Sequence, residues 1–199
     1  MKSQHALKSP KHSVKLIALL FILLFFGNFG TTRSSAPTLD QTGNFVLFMQ
    51  IDGIAGSSVD SVHKDWSDIL SYEWGVLSSG GTHVGAGTTA PRTVVSDFFV
   101  TKNLDKASPL IMQAALQHTS IKKVTIEVAR YGGSGKYVAF NKFVLENCFV
   151  SSYYQTGSQT SLFESLSFAF QKLTYSYTPQ NPDGSYGGTI EVVYDLTKP

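Results

Sequence analysis

The chain has 199 residues, 42% of them hydrophobic and 15% charged, with a formal net charge of +2. These values fit one globular domain with a core of its own. No basic stripe interleaved with aromatic residues is present, which argues against a nucleic-acid partner. The charge is unevenly divided, because residues 1–36 hold five basic residues and no acidic one, whereas the remainder holds 11 basic against 14 acidic residues, a net −3.

The first 36 residues have the layout of a secretory signal. A basic leader ending at Lys15 precedes eleven uninterrupted apolar residues, 16–26, and a small and polar stretch follows them. Eleven residues fall short of the roughly 20 that a membrane-spanning helix needs. Pro37 would directly follow the small-residue cleavage site, which is a poor context for the peptidase. A cleaved signal, an uncleaved membrane anchor and a mistaken start codon are therefore the three interpretations, and residues 37–44 are predicted to be a polar linker.

Residues 45–199 are predicted to form one β domain. Apolar and polar residues alternate with period two, which predicts strands over residues 45–52, 66–76, 92–101, 121–130 and 189–196, the last closing the sheet. Both faces of the first strand are partly apolar, as in a barrel. One short helix is predicted over residues 108–118, with Ser108 as its N-cap and Pro109 as its first residue.

The longest β pattern covers residues 145–180 and consists of two strands joined by a short polar segment. After Gln171 the apolar positions shift to Leu173 and Tyr175. Such a shift predicts either a β-bulge or a strand that passes from one packing environment to another. Cys148 is the only cysteine, so no internal disulfide can form, and its place in a strand favours a buried, inert thiol.

No pattern of catalytic or metal-binding residues stands out. The five histidines form no recognised motif, and GGSGK at residues 132–136 lacks the leading glycine and the following Ser or Thr of a phosphate loop. Asp60, Asp65 and Asp68 do not have the spacing of a calcium loop. For His63, a local hydrogen bond or a subunit contact is favoured over catalysis. We therefore expect no enzymatic activity, no cofactor and no metal site.

Several segments in the same order and spacing resemble the Hcp (haemolysin-coregulated protein) family of type VI secretion. They are FMQIDGIAGSSVDSVHKDW at residues 48–66, VSSYYQTG at 150–157, ESLSFAFQKLTYSYTPQ at 164–180 and DGSYGG at 183–188. The resemblance implies a mostly β fold, an Hcp-like β-barrel of two packed antiparallel sheets with one short α-helix. It also implies a secreted tube subunit and cargo carrier, which assembles as hexameric rings that stack. Its partners would be copies of itself, spike and sheath components of the secretion system, and effector cargo.

The same resemblance assigns two surfaces. A family position between two aromatic residues lines the lumen of the ring, and here it is matched by Glu73, between Tyr72 and Trp74. Ser71 shares a strand face with Glu73, together with Ser67 and Ile69. The glycine-rich segment 78–91 is long for a connection in a compact domain, and the resemblance makes it an arm that packs on a neighbouring subunit or ring, with these central residues: Ser79, Gly80, Gly81, Thr82, His83, Val84, Gly85, Ala86 and Gly87.

The N-terminal segment departs from the family pattern, whose members begin close to the first strand. A subunit of a tube built in the cytoplasm should not be exported singly first, so a periplasmic or membrane-anchored form is the alternative to secretion through the tube. A second functional hypothesis follows from the 14 Phe, 9 Tyr and 2 Trp. It is an individually exported, monomeric β-barrel that binds a small apolar ligand or an envelope partner.

Overall fold

The computed structural model describes residues 45–79, 92–132 and 135–198. Within them the chain forms ten strands and one helix, in the order β1 (Phe45–Ile51), β2 (Ser67–Glu73), β3 (Val76–Ser79), β4 (Arg92–Val95), β5 (Phe98–Asn103), α1 (Ser108–Leu116), β6 (Ile121–Tyr131), β7 (Tyr137–Gly157), β8 (Leu162–Ala169), β9 (Lys172–Tyr177) and β10 (Ile190–Asp195).

Six antiparallel strands close into a barrel. They follow the order β7-β6-β1-β2-β5-β8, and β8 returns to pair with β7. The interior is filled by fully buried apolar side chains, among them Met49, Phe98, Val100, Val124, Ile126, Leu145, Leu166 and Phe168. The expected mostly β, Hcp-like barrel fold is confirmed, and the six strands of the barrel belong to one continuous hydrogen-bonded sheet.

β7 changes partners in its middle. Residues 141–146 pair with β9, whereas residues 149–157 pair with β8. At the change, Asn147 has a φ of 53°, a left-handed conformation that short polar side chains tolerate better than most. The buried positions consequently shift from Leu145 to Cys148, so that the uninterrupted alternation expected from the sequence is wrong at this point.

The second strand of the 145–180 pattern is divided at the place where its apolar positions shift. β8 ends at Ala169 and lies in the barrel, and β9 begins at Lys172 outside it. The expectation of a passage between two packing environments is therefore confirmed. β9 and β10 form a two-stranded extension of β7, which we call the flap. β10 is its edge strand, so the expectation that the last strand closes the sheet is wrong, because the pairing of β7 with β8 closes it.

The hairpin β3–β4 was not expected. The predicted strand 66–76 breaks at Trp74 and Gly75, and the predicted strand 92–101 breaks at Ser96 and Asp97. The two breaks face each other, since the Gly75 amide donates to the Ser96 hydroxyl at 2.9 Å and the Ser96 amide donates to the Gly75 carbonyl. Each strand therefore leaves the barrel at the same level and pairs with the other outside it.

α1 begins at the expected residue but is capped differently. Its N-cap is Ala107, so the assignment of Ser108 as N-cap is wrong. The Ser108 hydroxyl instead accepts a hydrogen bond from the Asp105 amide at 3.0 Å and thereby closes the preceding turn. The helix contributes Ile111 and Ala114 to the core. No helix within the described ranges is long and apolar enough to cross a membrane.

Candidate assembly and cargo surfaces

The end of β2 presents Glu73 outward and two aromatic residues inward. The register between β2 and β5 shifts between Ile69 and Ser71, which leaves Ile69 buried and Leu70 55% exposed. Alternation resumes after the shift with Tyr72 and Trp74 half-buried. The continuous alternation expected from residue 66 onward is therefore wrong at Leu70, although it holds for the last three residues.

An aromatic cluster fixes the orientation of this strand end. Tyr72 stacks on Phe98 with ring centroids 5.6 Å apart, and Trp74 meets Phe143 edge-on at 5.8 Å. Tyr175 of the flap stacks on the other face of this cluster, 4.9 Å from Phe143. Because inward rotation of Glu73 would have to displace these rings, Ser71 and Glu73 are held on the exposed side.

A recess of about 410 Å³ opens beside this cluster. Its lining is Tyr72, Glu73, Trp74, Asn141, Phe143 and Tyr175. The Asn141 amide donates to the Tyr72 hydroxyl at 3.3 Å. Burial and the neighbouring Tyr175 raise the pKa of Tyr72 in spite of this bond, so its hydroxyl stays neutral in the physiological range. The recess thus places neutral aromatic and amide groups next to the acidic end of β2.

The residues of the predicted intersubunit loop are only partly within the described structure. Ser79 is the last residue of β3 and Arg92 the first of β4. Ser78 and Ser79 belong to a strand, so the predicted loop begins too early. The remaining loop residues, Gly80, Gly81, Thr82, His83, Val84, Gly85, Ala86 and Gly87, lie outside the described residues, as do residues 1–36 and the linker 37–44.

His63 is fully buried between two carboxylates. Its Nδ1 lies 2.7 Å from Asp60 Oδ1 and its Nε2 lies 3.0 Å from Glu127 Oε2. The ring also stacks on Phe48, with centroids 3.9 Å apart. Burial opposes ionisation of Asp60, but the hydrogen bonds from His63 hold the Asp60 pKa below its usual value. The expectation of a local hydrogen-bonding role for His63 is confirmed, since it ties the loop after β1 to β6.

A buried ion pair inside the barrel was not anticipated from the sequence. Lys102 and Glu164 are both fully buried, and Lys102 Nζ lies 2.7 Å from Glu164 Oε1 without the alignment of a straight hydrogen bond. The Tyr153 hydroxyl donates to Glu164 Oε2 at 2.7 Å. Burial and this carboxylate together raise the Tyr153 pKa. A signal was present in the sequence, because both charged residues occupy core-facing positions of alternating strands.

Asp105 and the Asn103 carbonyl both accept hydrogen bonds from Lys102 Nζ, the latter at 2.9 Å. Asp105 Oδ1 accepts from Lys102 Nζ at 2.7 Å and Asp105 Oδ2 accepts from Ser67 at 2.8 Å. Burial raises the Asp105 pKa, but these bonds outweigh it, and the pKa stays below the ordinary value. Every charge in this network is paired, as buried charges require. The network joins β5 to β8, and its ionic groups face each other rather than an open cleft.

Cys148 is a buried thiol, as expected. It is 1% exposed, and burial raises its pKa to about 12. At neutral pH the thiol is therefore protonated and a poor nucleophile. Among the described residues, no group of three or more His, Cys, Asp and Glu side chains could hold a metal ion.

The chain matches known proteins over most of this fold. A family model described as "Type VI secretion system effector, Hcp" matches residues 48–177. Protein hcp1 of Pseudomonas aeruginosa is 30% identical over 153 residues, which cover 75% of this chain and 94% of that protein.

Two solved structures show the same architecture. One, a type six secretion system protein, is 28% identical with a TM-score of 0.69, covering 77% of this chain and 96% of its own. A type VI secretion system effector from Yersinia pestis is 27% identical with a TM-score of 0.58, covering 75% of this chain and 98% of its own. By its family match, its relative and its fold, this chain belongs to the Hcp family of type VI secretion proteins.

Proposed function

We propose that this member of the tube and effector proteins of type VI secretion acts as a structural subunit, assembling as hexameric rings that stack into a cargo-carrying tube. The observation that carries the proposal is the family match over residues 48–177, within which the closed barrel lies almost entirely. The chemistry of the barrel supports a structural role, because its buried charged residues, His63, Lys102, Glu127 and Glu164, are each paired with a group of opposite charge, and we propose that the chain is not an enzyme. Spike and sheath components and effector cargo are the partners that this role requires.

The oligomeric state tests this proposal directly. Native mass spectrometry of purified residues 37–199 should give six subunits, since a head-to-tail contact whose rotation closes yields a cyclic assembly. Electron microscopy at higher protein concentration should then show stacked rings. A protein that stays monomeric at high concentration in light scattering would contradict the proposal.

We also propose that the glycine-rich segment between β3 and β4 is the arm that packs on a neighbouring subunit or ring. The hairpin supports this, because β3 and β4 leave the barrel together, and Ser79 and Arg92, at the two ends of the segment, lie opposite each other outside the barrel. Deleting residues 80–87 should weaken the assembly of rings or tubes while leaving the circular dichroism and melting temperature of the subunit nearly unchanged. Unchanged ring and tube assembly in micrographs of the deletion variant would refute the role.

Ser71 and Glu73 are proposed to face the lumen. Their exposure at the C-terminal end of β2, with the aromatic cluster behind them, supports this orientation. Six symmetry-related copies of Glu73 would form a negative ring, which favours basic cargo and repels acidic cargo.

Membership of the family supports secretion through the tube as the localisation of this chain. For residues 1–36, we propose a signal that is removed, with an uncleaved membrane anchor as the alternative, and a periplasmic or membrane-anchored form is the alternative to secretion through the tube. N-terminal sequencing of the protein recovered from culture supernatant, periplasm and membrane separates these outcomes. A mature protein that begins near residue 37 supports removal, whereas an intact N-terminus in the membrane fraction supports an anchor.

One observation favours the second candidate function, an apolar-ligand barrel. A groove of about 270 Å³ between the β3–β4 hairpin and the flap is lined by apolar side chains and Thr93. A monomeric native mass together with binding of a small apolar probe would support that reading, whereas a hexameric mass would favour the tube.

A further inference from the structure

The flap has one apolar and one polar face. In the register between β7, β9 and β10, Phe143 lies opposite Tyr175, and Tyr175 lies opposite Val192. Paired residues in a sheet share a face, so the face that forms the barrel interior on β7 continues across the flap. On β9 and β10 it carries only apolar and aromatic residues, which are Leu173, Tyr175, Tyr177, Ile190, Val192 and Tyr194.

The opposite face of the flap carries most of its polar and charged side chains, which suits contact with solvent. Ser176 donates to Glu191 at 2.9 Å, and Lys172 pairs with Glu146 at 3.1 Å. Asp195 and Glu191 are the acidic residues of β10, and both lie on this face. Apolar and polar side chains are therefore segregated across the flap as they are across a sheet that covers a core, although the outer half of the apolar face has no core to cover.

Within the described residues, the apolar face of the flap is only partly covered. The hairpin β3–β4 covers part of it, and beyond that cover Ile190, Val192 and Tyr194 are 64%, 59% and 43% exposed, with Val76 of the hairpin 51% exposed beside them. These four residues expose on the order of 400 Å², which is within the range of the largest, often functional, apolar patch on a typical soluble monomer. This is about half of the roughly 800 Å² that each partner contributes to a stable interface.

β10 also leaves a strand edge unpaired. Among the described residues it pairs with β9 alone, and its sequence contains neither the proline nor the lysine that commonly protects exposed edges, its two acidic residues lying on the polar face. An open apolar face beside an unprotected edge is typical of a permanent contact, since permanent homo-oligomer interfaces are more apolar than transient ones.

We propose that the apolar face of the flap, with the adjacent side of the β3–β4 hairpin, is the surface on which a second copy of this chain docks. This inference rests on the proposed ring and names one side of its subunit contact. A second copy of the chain is the proposed occupant for two reasons. The exposed area is about half of what one partner contributes to a stable interface, and the absence of charged groups from this face matches a permanent contact. The neighbour contributes a different surface, as a cyclic head-to-tail assembly requires.

Two adjacent valines provide a matched test. Val192 lies on the apolar face and is 59% exposed, and Val193 lies on the polar face and is 53% exposed. Val192→Lys and Val193→Lys in the full chain add the same charge to the same strand. Native mass spectrometry and sedimentation should show that Val193→Lys assembles like the wild type, whereas Val192→Lys raises the concentration needed for assembly at least tenfold.

The outcomes separate this inference from the proposed function. A hexameric wild type with an equally hexameric Val192→Lys variant overturns the docking surface and leaves the ring intact. A monomeric wild type overturns both. If Val192→Lys fails to fold, a photo-crosslinking phenylalanine analogue at position 192, in an assembly of ordinary and 15N-labelled chains, should still join light to heavy chains, whereas position 193 should not. Crosslinks from position 192 that stay within one chain, including any to residues 1–44, would overturn the proposal.

Discussion

At the scale of single residues, the interior of the barrel depends on charges that are each paired. Lys102 and Glu164 have no exposed surface, and their carboxylate–ammonium contact is supported by Asp105 and Tyr153. Removing water from two ions is costly, and their attraction repays the cost only when both are present with good geometry. Removing one member of the pair is therefore expected to lower the free energy of unfolding far more than replacing both members with apolar residues.

Lys102→Met should show this asymmetry. It leaves the Glu164 carboxylate buried without its cation, and we expect the free energy of unfolding to fall by about 3–5 kcal/mol. The double variant Lys102→Met, Glu164→Leu should recover the part of that loss that comes from Glu164, since no unpaired charge remains at position 164. Asp105 keeps its hydrogen bonds from Ser67 and the Ala107 amide in that variant. Urea denaturation of the wild type, both single variants and the double variant provides the measurement. Additive losses in the double variant would show that the two residues act independently.

At the scale of elements, the loop from β1 to β2 is held by its own backbone. The Gly56 amide donates to the Asp65 carbonyl at 2.7 Å, and the Ser58 amide donates to the Trp66 carbonyl at 2.8 Å. This ladder brings Gly56 so close to the Trp66 carbonyl that a Cβ at Gly56 would overlap it. The same ladder positions Asp60 to receive His63, so the close approach of two backbones underlies the buried histidine.

Gly56→Ala should therefore destabilise the fold while Gly75→Ala should not. A methyl group at Gly56 forces the two backbone segments apart, with an expected cost of about 1–3 kcal/mol. Gly75 has no atom within 4 Å of an added Cβ, and its replacement should change stability by no more than about 0.5 kcal/mol. Thermal unfolding of both variants provides the comparison. Equal melting temperatures would show that the loop rearranges around the added methyl group at little cost in stability.

Much of the order of elements could be predicted from period-two alternation, because a strand with one buried face has an apolar residue at every second position. The shift after Gln171 marked the departure of β9 from the barrel for the same reason. The breaks at Leu70 and Asn147 could not be predicted, since each depends on a register set by strands distant in sequence. Barrel closure through β7 and β8, rather than through β10, is likewise decided by pairing and not by local pattern.

The surfaces were less predictable than the strands. The outward orientation of Glu73 could be expected, because Tyr72 and Trp74 flank it with large aromatic rings that need a core. The open face of the flap could not, since Ile190, Val192 and Tyr194 alternate like any buried strand and the sequence does not say what lies over them. An alternating apolar pattern on an edge strand can be recognised as an exposed surface only when the pairing of the strands is known.

At the scale of the whole molecule, ring symmetry would multiply small local charges. One carboxylate at the end of β2 is a minor feature of a subunit, but six copies around a lumen would create a field that acts on everything passing through it. The aromatic cluster behind Glu73 makes this charge changeable without disturbing the core, because the side chain is exposed. If Glu73 faces the lumen as proposed, the charge there can vary without a change in the fold.

Glu73→Arg is expected to reverse the preference for cargo charge while leaving the subunit intact. Because Glu73 is exposed, the free energy of unfolding should change by no more than about 0.5 kcal/mol, and pulldown with matched basic and acidic cargo proteins should shift from basic to acidic binding. Asp52→Arg is the control, since it makes the same change in net charge at an exposed position at the opposite end of the barrel. A large loss of stability would mean that position 73 is buried in the assembled protein, and a stable ring whose cargo preference matches that of the Asp52→Arg control would remove the electrostatic role.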